Sequence, residues 1–138
     1  MLIAGFMQST QNVYKIKKRE IMTVFINKKF ETVDDGIENL IAAAIYDYSD
    51  QDYRIDNINE GMNKKFADGF VVKKGKKYIK IISDSSAWAF VVNTDDDKLF
   101  KKGDLLKCAG WAAPARNKPR GNVLEGGYRI EWTGPQYL

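Results

Sequence analysis

Tyr78-Ile-Lys-Ile-Ile-Ser-Asp-Ser-Ser-Ala-Trp-Ala-Phe-Val-Val92 decides the fold class. Runs of β-branched and aromatic residues flank Ser83-Asp-Ser-Ser86, a short polar break that reads as a hairpin turn, so Lys77 to Ile82 and Ala87 to Val92 are expected to pair antiparallel. In the second run Ala87, Ala89 and Val91 alternate with Trp88, Phe90 and Val92. Both faces are therefore apolar, as in a central strand covered on both sides. Lys73-Lys-Gly-Lys76 supplies a second turn, and Phe66 to Val72 ahead of it completes a meander.

Working outward, residues 33–48 carry Ile37, Leu40, Ile41, Ala44, Ile45 and Tyr48 at helical spacing, which predicts an amphipathic helix with one apolar stripe. Thr32 followed by Asp35 has the form of a capping box, and Asp34, Asp35 and Glu38 suit the positive end of the helix dipole. Met22 to Ile26 reads as the first clear strand. Residues 49–63 read as a polar connection pinned by Tyr53, Ile55 and Ile58. Asn93 to Lys98 forms an acidic turn. Asp104 to Ala109 fits a strand or a short helix, with strand preferred. The segment Trp111 to Leu138 holds all three prolines and several glycines, so it is expected to be a loop-rich cover with one strand at Tyr128 to Trp132. The expected class is α+β: one amphipathic helix packed on a mostly antiparallel sheet and closed by a loop-rich C-terminal segment.

A chain of 138 residues with 44% hydrophobic and 29% charged residues fits one domain with a core of its own. Cys108 is the only cysteine, so no intrachain disulfide is available, and a lone thiol suits a reducing cytoplasm. No run approaches the roughly 18 apolar residues of a membrane span, and no membrane partner is expected. The net charge of +4 is unevenly spread. Residues 31–60 hold one base and nine acids, whereas residues 61–138 hold fifteen bases and eight acids. Such polarity suits an acidic partner or nucleic acid but says nothing about fold.

The inventory of chemical groups excludes much. With no histidine, His-based triads, His metal sites and imidazole acid–base catalysis are ruled out. Cys108 among Leu105, Leu106 and Ala109 reads as an inert, buried thiol. Phosphate-binding glycine loops, dinucleotide fingerprints and calcium loops are absent from the sequence, and no cofactor or metal is expected. One carboxylate pattern remains. Asp84 followed by Asp96-Asp97-Lys98 matches the Asp…Asp-x-Lys spacing of magnesium nucleases, in which carboxylates hold the ion and a lysine lies near the attacking water. The same aspartates suit turns for backbone reasons alone.

Two basic features are candidates for a nucleic-acid interface. Trp111, Arg116, Lys118 and Arg120 occupy a loop stiffened by Pro114 and Pro119, where guanidinium groups can fork onto phosphate and an indole can stack on a base. The alternative is that Trp111 plugs the core and the arginines bond loop carbonyls. Lys74, Lys76 and Lys77, with Lys73 and Lys80, crowd a hairpin that can track a phosphate backbone or simply deter edge pairing. Tyr46, Tyr48 and Tyr53, set among acids, offer a protein-binding face instead.

Gly103-Asp-Leu-Leu-Lys-Cys-Ala-Gly-Trp-Ala-Ala-Pro-Ala-Arg-Asn-Lys-Pro-Arg-Gly-Asn122, preceded by Tyr78-Ile-Lys-Ile81 and Trp88-Ala-Phe-Val91, resembles small uncharacterised accessory proteins of large tailed bacteriophages. The resemblance spans about residues 66–124 and brings no activity or site residue with it. It implies a phage protein made in the host bacterial cytoplasm, and so favours a non-enzymatic protein that binds a host or phage protein in takeover or counter-defence. An RNA- or DNA-binding module is the alternative, and a carboxylate-metal nuclease the remote one.

Residues 1–21 lack the patterning of the rest. Lys17-Lys-Arg-Glu20 is encoded largely by purines, so it has the character of a translated ribosome-binding site, with Met22 the natural start and residues 22–138 the domain. The other reading makes Val13-Tyr-Lys-Ile16 an edge strand or short helix. Starting at Met22 removes four bases and one acid and lowers the net charge from +4 to +1. Intact-mass measurement of the protein from its native source decides between them: the leader reading expects the mass of residues 22–138, and retention of residues 1–21 refutes it.

Overall fold

The computed structural model describes residues 13–15, 24–50 and 60–137. The described elements follow in chain order. Strands β1 (Val13–Lys15) and β2 (Val24–Ile26) precede helices α1 (Val33–Asp50) and α2 (Glu60–Asp68). A run of strands comes next: β3 (Phe70–Lys74), β4 (Tyr78–Ser83), β5 (Ser86–Val92), β6 (Asp104–Leu106) and β7 (Gly121–Asn122). Strands β8 (Tyr128–Glu131) and β9 (Gly134–Pro135) close the chain. The class is α+β with antiparallel pairing. The meander is a five-stranded sheet in sequence order β3-β4-β5-β6-β7, and a second sheet has the order β1-β2-β8-β9. No helix of the described residues is long and apolar enough to cross a membrane.

Helix α1 starts as its cap dictates, with Thr32 Oγ1 accepting the N–H of Asp35 at 3.1 Å. Ile37, Leu40, Ile41 and Ala44 are buried, as the stripe requires, but so are Ala42 and Ala43. Small side chains on that flank admit close neighbours. Gly36 shows the same demand, since a Cβ there would run into the backbone and side chain of Val123. The helix packs into one core with Ile79, Ile81, Ala89, Val91 and Leu105 of the five-stranded sheet and Val24, Ile26, Tyr128 and Ile130 of the other.

Strand β5 is covered on both faces. Its outer face, Phe90 and Val92, packs with Leu106 and Phe100 in a second cluster, onto which the half-buried Tyr78 and Cys108 fold. Strict alternation would put Trp88 beside Phe90 and Val92, yet Trp88 lies in the main core. The register explains it: Ile81 pairs with Ala89 but Ile82 with Ala87, so Trp88 is the extra residue of a β-bulge and is re-aimed to the other face. Its indole N–H donates to the carbonyl of Trp132 at 2.9 Å.

Two element assignments differ from the sequence reading. Phe66 belongs to α2, not to a strand, because it stacks on Tyr48 at 4.3 Å and meets Trp132 and Phe70 edge-on. A second helix therefore joins the expected one, and its start was hidden in a polar stretch. The strand expected over 104–109 ends at Leu106; Cys108 makes only an isolated bridge to Pro114. Tyr53, Ile55 and Ile58 lie outside the described residues. Val13–Lys15 pairs with β2 at the sheet's edge, while the rest of 1–21 lies outside the described residues.

The C-terminal cover is fixed by a buried polar knot. Asn122 Nδ2 donates to Asp104 Oδ1 at 3.0 Å and to the Lys102 carbonyl at 3.1 Å. Asn122 Oδ1 accepts the N–H groups of Leu124 and Glu125, and Asp104 Oδ2 accepts that of Lys101. Gly103, at φ +93°, leaves room for the Asn122 side chain.

Replacing Gly36 by Ala inside a helix ordinarily gains about 1 kcal/mol. Here the Cβ meets Val123, so Gly36→Ala is expected to destabilise by roughly 1–3 kcal/mol in urea unfolding.

Candidate functional site

The acidic turn after β5 and the loop after β6 meet over the outer face of the meander, and their meeting point is an ion pair. Asp97 presents both carboxylate oxygens to Arg116, at 2.9 Å to Nη1 and 3.0 Å to Nη2. The fork–fork geometry is the strong form of this interaction. Asp97 Oδ1 also accepts the N–H groups of Leu99 and Phe100, which winds the turn around the carboxylate. The Arg116 guanidinium lies 4.8 Å from the centroid of Phe100 and donates to the Tyr78 hydroxyl. The Asp97 side chain is thus only 1% exposed although it sits near the protein surface, covered by its own partners. The Arg116 hydrogen bonds, then those from the Leu99 and Phe100 amides, hold its carboxyl well below the usual carboxylate range. Asp97 in turn raises Arg116 above its ordinary value.

This pair lines a cleft of about 480 Å³ with Lys76, Lys77, Thr94, Asp96 and Lys98. Lys77 Nζ is 3.9 Å from Asp97, a long contact to an already paired carboxylate. The cleft thus gathers four cations and two acids. Phosphate is the complement of such a site, but its one guanidinium is committed to Asp97.

Trp111 does not plug the core: it is 53% exposed, with Lys80 Nζ 3.3 Å from its ring centroid. Arg120 bonds the Lys118 carbonyl at 3.0 Å and Asn117 Oδ1 at 3.2 Å, as the alternative reading for the loop arginines expected. Lys118 is exposed. On the lysine hairpin, Lys74 pairs with Asp34 at 2.6 Å across to the start of α1, while Lys76 and Lys77 line the cleft. Of the candidate nucleic-acid residues, Arg116, Lys76 and Lys77 therefore come together; Trp111 stands with Lys80, and Lys74 points to α1. Cys108 is half-buried and burial pushes its thiol up, which keeps it protonated and unreactive at neutral pH.

The nuclease constellation does not assemble. Asp84 sits in the β4–β5 turn, whereas Asp96 and Lys98 follow the far end of β5. Seven residues of extended strand separate those ends, roughly 20 Å at the usual rise per residue. Among the described residues, no group of three His, Cys, Asp or Glu side chains is placed to hold a metal ion.

Sequence reasoning missed a third feature, the open edge of the five-stranded sheet. Backbone bonds Gly75 N–H to Tyr78 O and Asp84 N–H to Gly69 O bracket β3, so by ladder alternation its odd residues face β4. Phe70, Val72 and Lys74 then turn their backbone N–H and C=O away from the sheet, and no described strand pairs with them. Val71 and Val72 are 47% and 40% exposed. Beside the edge runs a groove of about 290 Å³ lined by Ile37, Ile41 and Val72, with Asp34, Glu38 and Lys74 at its rim. The sequence signal was present in Phe70-Val-Val72, an apolar run placed first in a meander.

The chain belongs to a family of unknown function (DUF7717), whose model matches residues 13–138. No curated protein and no solved structure shows significant similarity to it.

Because the folded state holds Asp97 ionised below the pKa of about 3.9 that it has when unfolded, its contribution to stability is present above that value and fades as pH falls through the lowered one. Thermal melts of the wild type and Asp97→Asn are expected to differ most at neutral pH and to converge between about pH 4 and pH 2. Parallel melting curves across that range would show that the carboxylate is not held by Arg116.

Proposed function

We propose that this protein is a non-enzymatic binding protein that captures a partner protein along the open edge of β3. The observation that carries the reading is that edge: backbone donors and acceptors of Phe70, Val72 and Lys74 face outward beside two half-exposed valines. An extended segment of a partner adds there as a sixth strand, its main chain bonding to β3 and alternate side chains entering the groove over Ile37 and Ile41. Glu38 at the rim favours a partner segment that places a lysine or arginine beside its apolar residues. The missing histidines and the separation of Asp84 from Asp96 support a role without catalysis.

The resemblance over residues 66–124 supports a bacteriophage accessory protein that acts in the cytoplasm of the infected host on a host or phage protein. Exposed Trp111 beneath Lys80 favours a second reading, an RNA- or DNA-binding module. The commitment of Arg116 to Asp97 and of Arg120 to its own loop weakens it, since phosphate would have to compete with bonds already made.

Val72→Pro separates the two readings. The Val72 N–H lies outside the β3–β4 ladder, so proline is tolerated at this edge position but takes away a donor that an added strand needs. Tagged protein expressed during infection is expected to retain a discrete partner after nuclease treatment. Val72→Pro and Val72→Lys are expected to lose it while melting close to the wild type. Capture that survives both substitutions overturns the edge reading. Capture abolished by nuclease and falling steeply with salt moves the function to Trp111 and the basic loop.

A further inference from the structure

A cleft of about 530 Å³ opens where α2, the β4–β5 turn and the β8–β9 turn converge, apart from the β3 edge and from the Arg116 cleft. Its wall is aromatic. Tyr48, at the end of α1, stacks on Phe66 at 4.3 Å, Trp132 meets Tyr48 edge-on at 5.2 Å, and the bulged Trp88 completes the lining. Met62, 45% exposed, forms an adaptable apolar lip.

Four polar side chains, Lys65, Ser83, Asp84 and Thr133, enter this apolar setting. Asp84 occupies the first position of the tight turn at φ +50°, followed by Ser85 at φ +67°. Lys65 projects from α2, and Ser83 lies 8% exposed between them in sequence and cleft. Neither the Asp84 carboxylate nor the Lys65 ammonium bonds to a described residue, although the neighbouring Lys64 pairs with Asp68 at 2.6 Å. Opposite charges that share a cleft without reaching each other leave room for a ligand carrying the complement of both. Few convergent polar groups on an apolar, ring-lined cavity of this size are the marks of a small-molecule site.

We infer that this cleft binds a small apolar zwitterion of dipeptide size, its ammonium held by Asp84, its carboxylate by Lys65 and its apolar side chains against Phe66, Trp88 and Trp132. A cleft of about 530 Å³ has room for a dipeptide.

The chain has three tryptophans, and two of them line the cleft. In the full chain carrying Trp111→Phe, all indole fluorescence therefore reports on this site. Leucyl-leucine is expected to change that emission saturably. The Asp84→Asn and Lys65→Met substitutions are each expected to weaken binding about tenfold or more, the usual scale for loss of a charged hydrogen bond. Asparagine tolerates the left-handed turn as well as aspartate does, so Asp84→Asn leaves the fold in place. The matching probes assign each charge: the N-acetyl dipeptide should lose its sensitivity to Asp84→Asn, and the dipeptide amide its sensitivity to Lys65→Met. An emission unchanged by any probe at millimolar concentration overturns the inference, and so does binding that ignores both substitutions.

Discussion

Strand β5 must be covered on both faces, and most of the architecture answers that requirement. Ala89 and Val91 point one way and Phe90 and Val92 the other, all buried, so a single layer on one side would leave large apolar surface in water at roughly 25 cal/mol per Å². On the inner side α1 and the four-stranded sheet supply the cover. On the outer side none of the described helices lies, and the chain uses the turn after β5 and the loop after β6. Irregular backbone can lie over an apolar face only if its own polar groups are satisfied, which is why that side carries the densest side-chain hydrogen bonding.

Two polar assemblies meet that need. The Asp104–Asn122 knot ties the start of β6 to β7 and bonds three N–H groups and one carbonyl that the loops would otherwise leave unpaired. The Asp97–Arg116 fork pins the acidic turn to the basic loop above Phe100 and Tyr78. Breaking the knot from one side would strand a buried acceptor or donor, at about 1–3 kcal/mol for each group. The segment Gly103-Asp…Arg-Gly-Asn122 thus has a structural explanation. Gly103 admits the Asn122 side chain, Asp104 and Asn122 form the knot, and Arg120 closes the loop carbonyl. A motif accounted for by closure of the fold is not a marker of the binding site.

What could be read from the sequence was what depends on local pattern. The α1 stripe, its Thr32 cap, the β4–β5 hairpin and the two-faced strand all follow from spacing that any window displays. Three features depend on partners distant in sequence and stayed hidden. Trp88 changes face because one residue is inserted relative to β4, and periodicity within β5 carries no trace of it. Phe66 reads as a strand start beside Phe70-Val-Val72 until Tyr48 and Trp132 are seen to hold it in α2. The second sheet pairs β2 with β8, across a hundred residues of chain, and Val24-Phe-Ile26 alone names no partner. At the candidate site Arg116 and Asp97 belong to one bond, although the sequence reading set the first among the nucleic-acid candidates and the second between Asp96 and Lys98 of the nuclease pattern.

The disposition of charge follows from the same economy of partners. The basic excess of the C-terminal half looks like a surface waiting for phosphate, but Arg116 is forked to Asp97, Lys101 to Glu125 and Lys74 to Asp34, each with an acid from a different element. The two exposed pairs, Lys101–Glu125 and Lys74–Asp34, add little stability, yet all three lower the local field that would steer a polyanion. A partner then has most to gain where the fold has left groups unbonded rather than where it has placed charge. On the meander that place is the outer side of β3, whose backbone N–H and C=O groups have no described strand to pair with and whose valines a partner strand can cover. Lys73 and Lys74 sit on that same strand, and lysines guard an edge against indiscriminate pairing. With Lys74 drawn aside to Asp34, the guard over Val72 is partial.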